Sequence, residues 1–103
     1  METLEFKLAS RPIAAAPPTL CGVVGSGNLE VLIQPEASGE TCSVSVTTSA
    51  VGFRDTWAAV LEAFVRRHPV GCTRITINDM GATPAVVTLR LEQALRAYLG
   101  GAR

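Results

Sequence analysis

No run of apolar residues in this chain approaches the roughly 20 that a helix needs to cross a bilayer, and the N-terminus carries Glu2 and Glu5 rather than a basic leader. The chain therefore reads as cytoplasmic, with no membrane partner. It lacks any excess of charge. Nine basic side chains balance nine acidic ones, which removes the electrostatic attraction that dominates nucleic-acid binding and polybasic contact with anionic lipid. Histidine is reduced to His68, and the three cysteines, Cys21, Cys42 and Cys72, are irregularly spaced with no CxxC pair. A zinc site lacks soft ligands, so no metal is expected, and an odd cysteine count argues against a disulfide framework. Each thiol reads as a small, reduced hydrophobe.

What the chain does have is a folding composition. Hydrophobic residues make up 48% of its 103 residues and charged ones 17%, which fits one domain over residues 1–103 with a single core. Leu4, Phe6 and Leu8 alternate with Glu5 and Lys7, the period of a half-buried edge strand. Ser10 to Pro18, with three alanines and the pair Pro17 and Pro18, predicts a loop. Leu20 to Val24 predicts a strand joined by a tight turn, through Gly25, Ser26, Gly27 and Asn28, to a second strand in which Leu29, Val31 and Ile33 alternate until Pro35. After a turn over Glu36 to Glu40, Cys42, Val44 and Val46 alternate with Ser43, Ser45 and Thr47, a strand with one wet face.

Beyond Gly52 the period lengthens. Asp55 is placed to cap a helix with Trp57, Leu61, Phe64 and Val65 on one side and Arg66 and Arg67 at its end, where positive charge suits the dipole. Pro69 and Gly71 stop it. Arg74 to Asn78 predicts a short strand and Asp79 with Gly81 a turn. Thr83 caps, and Pro84 begins, a second helix whose core stripe is Val87, Leu91, Ala94, Leu95 and Tyr98. Glu92 and Arg96 are spaced to pair on its wet side, and Gly100 and Gly101 to end it. The expected architecture is α+β: a small antiparallel or mixed sheet with two amphipathic helices packed on one face.

Candidate chemistry is sparse. His68 sits at a helix end beside two arginines, an ordinary solvated position, and no pair of carboxylates is spaced to flank a substrate. Gly25-Ser26-Gly27 is the most suggestive segment. A P-loop needs Lys and Ser/Thr after its glycines, where Asn28, Leu29 and Glu30 stand; a nucleophile elbow needs glycines two residues either side of the serine, where Val24 and Asn28 stand. A third use remains open beside the plain hairpin turn. Flanking glycines leave Ser26 unobstructed as a substrate for modification.

Three segments resemble the acyl-carrier (delta) subunit of bacterial malonate decarboxylases: Gly22-Val23-Val24-Gly25-Ser26-Gly27-Asn28-Leu29-Glu30-Val31-Leu32, Thr47-Thr48-Ser49-Ala50-Val51-Gly52-Phe53, and Ile77-Asn78-Asp79-Met80-Gly81-Ala82-Thr83-Pro84. The resemblance implies that Ser26 carries 2'-(5''-phosphoribosyl)-3'-dephospho-CoA through a phosphodiester, with Gly25 and Gly27 forming the exposed turn around it. It also implies attachment by a separate prosthetic-group transferase. Acetylation of the terminal thiol, exchange of acetyl for malonyl and decarboxylation would then fall to acyl-transferase and decarboxylase subunits, leaving this chain without catalytic residues. For Asp79 a structural use is the first expectation, with docking as the alternative; Trp57 and Phe53 are expected in the core.

The acidic helical carriers of fatty-acid synthesis, with their Asp-Ser-Leu site, are a poor match for a neutral chain with several strands. The citrate lyase acyl carrier, with a similar prosthetic group, is the nearest alternative family. An unmodified interaction module and a small hydrolase using Ser26 as nucleophile are alternatives of other classes. Activity of the wider complex that survives Ser26→Ala would mark the first, and turnover by the purified chain the second.

Overall fold

The computed structural model describes residues 1–101 and has the expected α+β architecture. The element order is β1 (Glu2–Ala9), β2 (Thr19–Gly22), β3 (Asn28–Pro35), β4 (Thr41–Thr48), α1 (Arg54–Arg67), β5 (Thr73–Met80) and α2 (Pro84–Gly101). The strands form one five-stranded sheet in the order β1-β4-β5-β3-β2. Three of the pairings are antiparallel, and β4 with β5 is parallel. A parallel pair needs a crossover, and α1 supplies it. β5 thus enters between β3 and β4, two strands that are consecutive in the sequence.

The period-two patterns work as predicted. Leu29, Val31 and Ile33 of β3, Cys42, Val44 and Val46 of β4, and Ile75 and Ile77 of β5 are all buried, while the alternate residues of these strands are half-buried. Trp57, Leu61 and Phe64 of α1 are buried in the same core, and so is the full predicted stripe of α2, Val87, Leu91, Ala94, Leu95 and Tyr98. Each Val, Leu, Ile or Phe side chain among them contributes about 1.5–3 kcal/mol by leaving water. The other face, with Ser45, Thr47, Thr76 and Asn78, is polar and not covered by either helix.

Several local expectations need correction. Asp55 does not cap α1: the N-cap is Phe53, without a side-chain cap bond, and Asp55 lies in the first turn, where a negative charge suits the dipole. Phe53 is half-exposed rather than packed in the core. Glu92 turns away from Arg96 and reaches α1, where Oε2 lies 3.1 Å from His68 Nε2 and 3.8 Å from Arg67 Nη2. A partner on a neighbouring helix has displaced the one-turn pair. α2 keeps Gly100 within its last turn and, among the described residues, ends at Gly101, the second of the two glycines expected to end it. β5 is longer than expected and includes Asp79, because both of its neighbours continue alongside it.

Ser10 to Pro18 is a loop, as its prolines require, yet it is anchored at two points. Gly71 N–H donates to Arg11 O at 2.8 Å, and Ile13 N–H donates to Gly71 O at 3.1 Å. A Cβ on Gly71 would stand 2.3 Å from Ser10 O, so only glycine permits this approach. Further along, Ala16 N–H donates to the hydroxyl of the fully buried Tyr98 at 3.1 Å. Tyr98→Phe should therefore orphan a buried N–H and cost about 1–2 kcal/mol of unfolding free energy, read as a lower urea midpoint with unchanged slope.

Candidate functional site

β2 is shorter than the apolar run predicted: it ends at Gly22, and Val23 and Val24 are exposed loop residues. The departure has a local cause. Gly22 has φ +89°, and a Cβ there would stand 2.3 Å from Leu29 O, so β2 peels away from β3 at a point open only to glycine. The chain returns through a four-residue turn closed by Asn28 N–H donating to Gly25 O at 2.9 Å. Gly27 has φ +72° at the third position and Ser26, at the second, does not have a positive φ, the pattern of a type II turn. Ser26 is exposed at the tip, and its hydroxyl makes no hydrogen bond among the described residues.

The two glycines beside it serve different ends. Gly27 is required by its backbone angle. Gly25 is not: its φ is not positive, and a Cβ there would meet nothing within 4 Å. Nothing within the described chain accounts for the missing side chain at Gly25, so space beside Ser26 is kept free toward the outside.

The turn is held from two sides. Gly27 N–H donates to Met80 O at 2.7 Å, fastening it to the end of β5. On the helix side, Arg90 of α2 donates from Nε to Asn28 Oδ1 at 3.1 Å and from Nη1 to Gln93 Oε1 at 2.7 Å. The sequence places Asn28 in the turn but gives no sign that Arg90 supports it. Their contact joins residues 62 apart, and local periodicity carries no trace of it.

Three segments distant in sequence meet at this end of the sheet. Register places Asn28 opposite Met80 and Thr48 beside Asp79, so the Ser26 turn, the link from β4 to α1 and the link from β5 to α2 leave the sheet together. Asp79 organises the latter two. Its buried carboxylate accepts Thr48 Oγ1–H at 2.9 Å, Gly81 N–H at 3.2 Å and Ala82 N–H at 3.0 Å, while its backbone O accepts Ser49 N–H at 3.1 Å. The structural use expected of Asp79 is thus what its contacts show, and burial withholds the side chain from docking. Asp79→Ala should strand these donors and cost about 3 kcal/mol, measured by denaturant unfolding. A groove of about 260 Å³, lined by Phe53, Trp57, Val60, Ala82 and Val87 among others, opens between the two links, and Val23, Val24, Val51 and Met80 add exposed apolar surface at this end.

The sequence segments that meet here are the ones that resemble a carrier family, and direct comparison decides the matter. The family model described as malonate decarboxylase delta subunit (MdcD) matches residues 17–98. The malonate decarboxylase acyl carrier protein of Acinetobacter calcoaceticus is 52% identical over 101 residues, covering 97% of this chain and 99% of the relative. That of Burkholderia cepacia is 59% identical over 95 residues, covering 91% and 87%. This chain belongs to the malonate decarboxylase acyl-carrier family. Its fold also matches a chain in the crystal structure of a Pseudomonas malonate decarboxylase hetero-tetramer in complex with malonate, with TM-score 0.87 and 38% identity over 95% of this chain and 99% of that one.

Within this malonate decarboxylase acyl-carrier fold, no acid or base among the described residues hydrogen-bonds the Ser26 hydroxyl. His68 lies past the far end of α1, held by Glu92, whereas the Ser26 turn adjoins the end of the sheet from which α1 starts. Cys42 is buried in the core, and desolvation pushes its thiol up to about 11, against the thiolate state a nucleophile needs. Among the described residues no three His, Cys, Asp or Glu side chains are grouped to hold a metal ion. No described helix is long and apolar enough to cross a membrane.

Proposed function

We propose that this protein is the acyl carrier of a cytoplasmic malonate decarboxylase and that Ser26 is the point at which 2'-(5''-phosphoribosyl)-3'-dephospho-CoA is joined through a phosphodiester. The observation that carries the proposal is a serine hydroxyl at the exposed tip of a type II turn, unbonded and flanked by a Gly25 that no contact within the described chain demands. A modifying enzyme must approach that hydroxyl closely, and a missing Cβ leaves room for it. The group, when bound, supplies a thiol on which an acyl residue is held as a thioester.

The chain's own contribution is presentation. A reactive end tethered to a small domain reaches each partner at a high effective concentration, which turns successive transfers into intramolecular events. The electrostatics for decarboxylation then belong to acyl-transferase and decarboxylase subunits.

Incubation of the apo chain with its prosthetic-group transferase and labelled precursor tests the proposal. One equivalent of label should enter the wild type and none should enter Ser26→Ala; equal labelling of the variant would refute attachment at Ser26. Gly25→Ala extends the test. It should leave the thermal midpoint unchanged, since its Cβ meets open space, yet lower the rate of labelling about tenfold by crowding the approach, roughly the cost of one displaced close contact.

A further inference from the structure

A cation is already in place against the loop that carries Ser26. Arg90 spans the mouth of the loop that presents the serine. At one end of that loop its Cδ is 3.3 Å from where a Gly22 Cβ would be, and at the other its Nε donates to Asn28 Oδ1 at 3.1 Å. Its second hydrogen bond, from Nη1, goes to Gln93 Oε1, so both of its acceptors are neutral amide oxygens. The ion pairs formed by the described residues engage Arg67, His68 and Arg74, and Arg90 is in none of them. No hydrogen bond from Nη2 is formed among the described residues.

This is an unusual use of a half-buried guanidinium. Arginine presents a planar fork of donors suited to carboxylate or phosphate, and partial burial raises the benefit of finding an anion. Here two amides fix the orientation of the fork while leaving its charge uncompensated. The Asn28 that holds Nε is also the residue whose N–H closes the turn on Gly25, so the guanidinium and Ser26 are set by the same four residues.

We infer that Arg90 is a phosphate-binding residue that engages the phosphodiester borne by Ser26, holding the root of the prosthetic arm against the domain while its distal end remains free. The inference rests on the Ser26 attachment proposed above. A phosphodiester is a monoanion at neutral pH with two unesterified oxygens, and the free donor edge of Arg90 is matched to either one. Asn28 and Gln93 act as positioning residues that keep the fork from collapsing into solvent.

NMR of the ¹⁵N-labelled chain in its apo and loaded forms provides the test, with ³¹P observation of the loaded form. The Nε–H resonance of Arg90 should shift on loading while those of Arg67 and Arg74 stay in place. The phosphodiester ³¹P resonance should differ between wild type and Arg90→Gln and remain the same in Arg67→Gln, a charge loss remote from the turn. If Arg90→Gln fails to fold, the apo-to-loaded shift of the wild type still decides. A phosphodiester present on Ser26 with Arg90 Nε–H unmoved, or moving only when partner subunits are added, would overturn the role of Arg90 and leave the carrier reading intact. Complete absence of a phosphodiester on Ser26 would overturn both.

Discussion

Ser26→Ala is expected to lower malonate decarboxylation by the assembled complex to the background of enzyme lacking its carrier, a loss of at least about a thousandfold. The size of the effect follows from the tether. Without an attached arm no acyl group can pass between partner sites, and a free thiol at cellular concentration does not replace one held beside them. Stability should hardly change, because Ser26 is exposed and its hydroxyl is unbonded, so the loss appears without any fall in thermal midpoint. Steady-state turnover of the reconstituted complex, with denaturation of the isolated variant as control, checks both halves. Full turnover by Ser26→Ala complexes would favour an unmodified interaction module.

Gly22→Ala should have the largest effect on the fold of the site. At φ +89° an alanine is strained, and its Cβ would lie 2.3 Å from Leu29 O, a backbone atom that has no room to give. The combined penalty is about 2–4 kcal/mol. More informative is where the damage falls. β2 leaves β3 at Gly22 and Arg90 packs across it, so the loop bearing Ser26 loses one of its two anchors. Amide exchange should accelerate over residues 19–30 more than in β4 or β5, and labelling of Ser26 should slow. Gly25→Ala, three residues away, provides the contrast of a stable chain that is poorly labelled.

Much of this architecture was legible in the sequence, because each element obeys one strong local rule. The inward rows of β3 and β4 follow alternation, and the α2 stripe from Val87 to Tyr98 follows the 3.6-residue period residue for residue. Thr83 and Pro84 mark the start of α2 correctly, with Val86 N–H donating to Thr83 Oγ1 at 3.3 Å. The turn around Ser26 was legible too, since Gly-Ser-Gly-Asn between a short apolar run and an alternating one reads as a tight turn.

What escaped was set by contacts between distant residues. The passage of β5 between β3 and β4 has no local signature, because strand order is decided by the crossover and not by the strands. Val23 and Val24 continue an apolar run and so looked like strand; the backbone angle at Gly22 ends β2 before they are reached. Glu92 finds Arg67 at the end of α1 and His68 just past it instead of Arg96 on its own helix. The support of the site was hidden for the same reason. Asn28 and Arg90 become neighbours only when α2 lies against β3, and Asp79 becomes a buried acceptor only when the end of β4 runs beside it.

The most direct test of the account is the intact mass of the chain, with peptide mapping, after production together with the other subunits and the transferase of its own malonate decarboxylase. One phosphoribosyl-dephospho-CoA per chain is expected, on the peptide containing Ser26 and missing from Ser26→Ala. An unmodified wild-type chain within a complex that still decarboxylates malonate would contradict it.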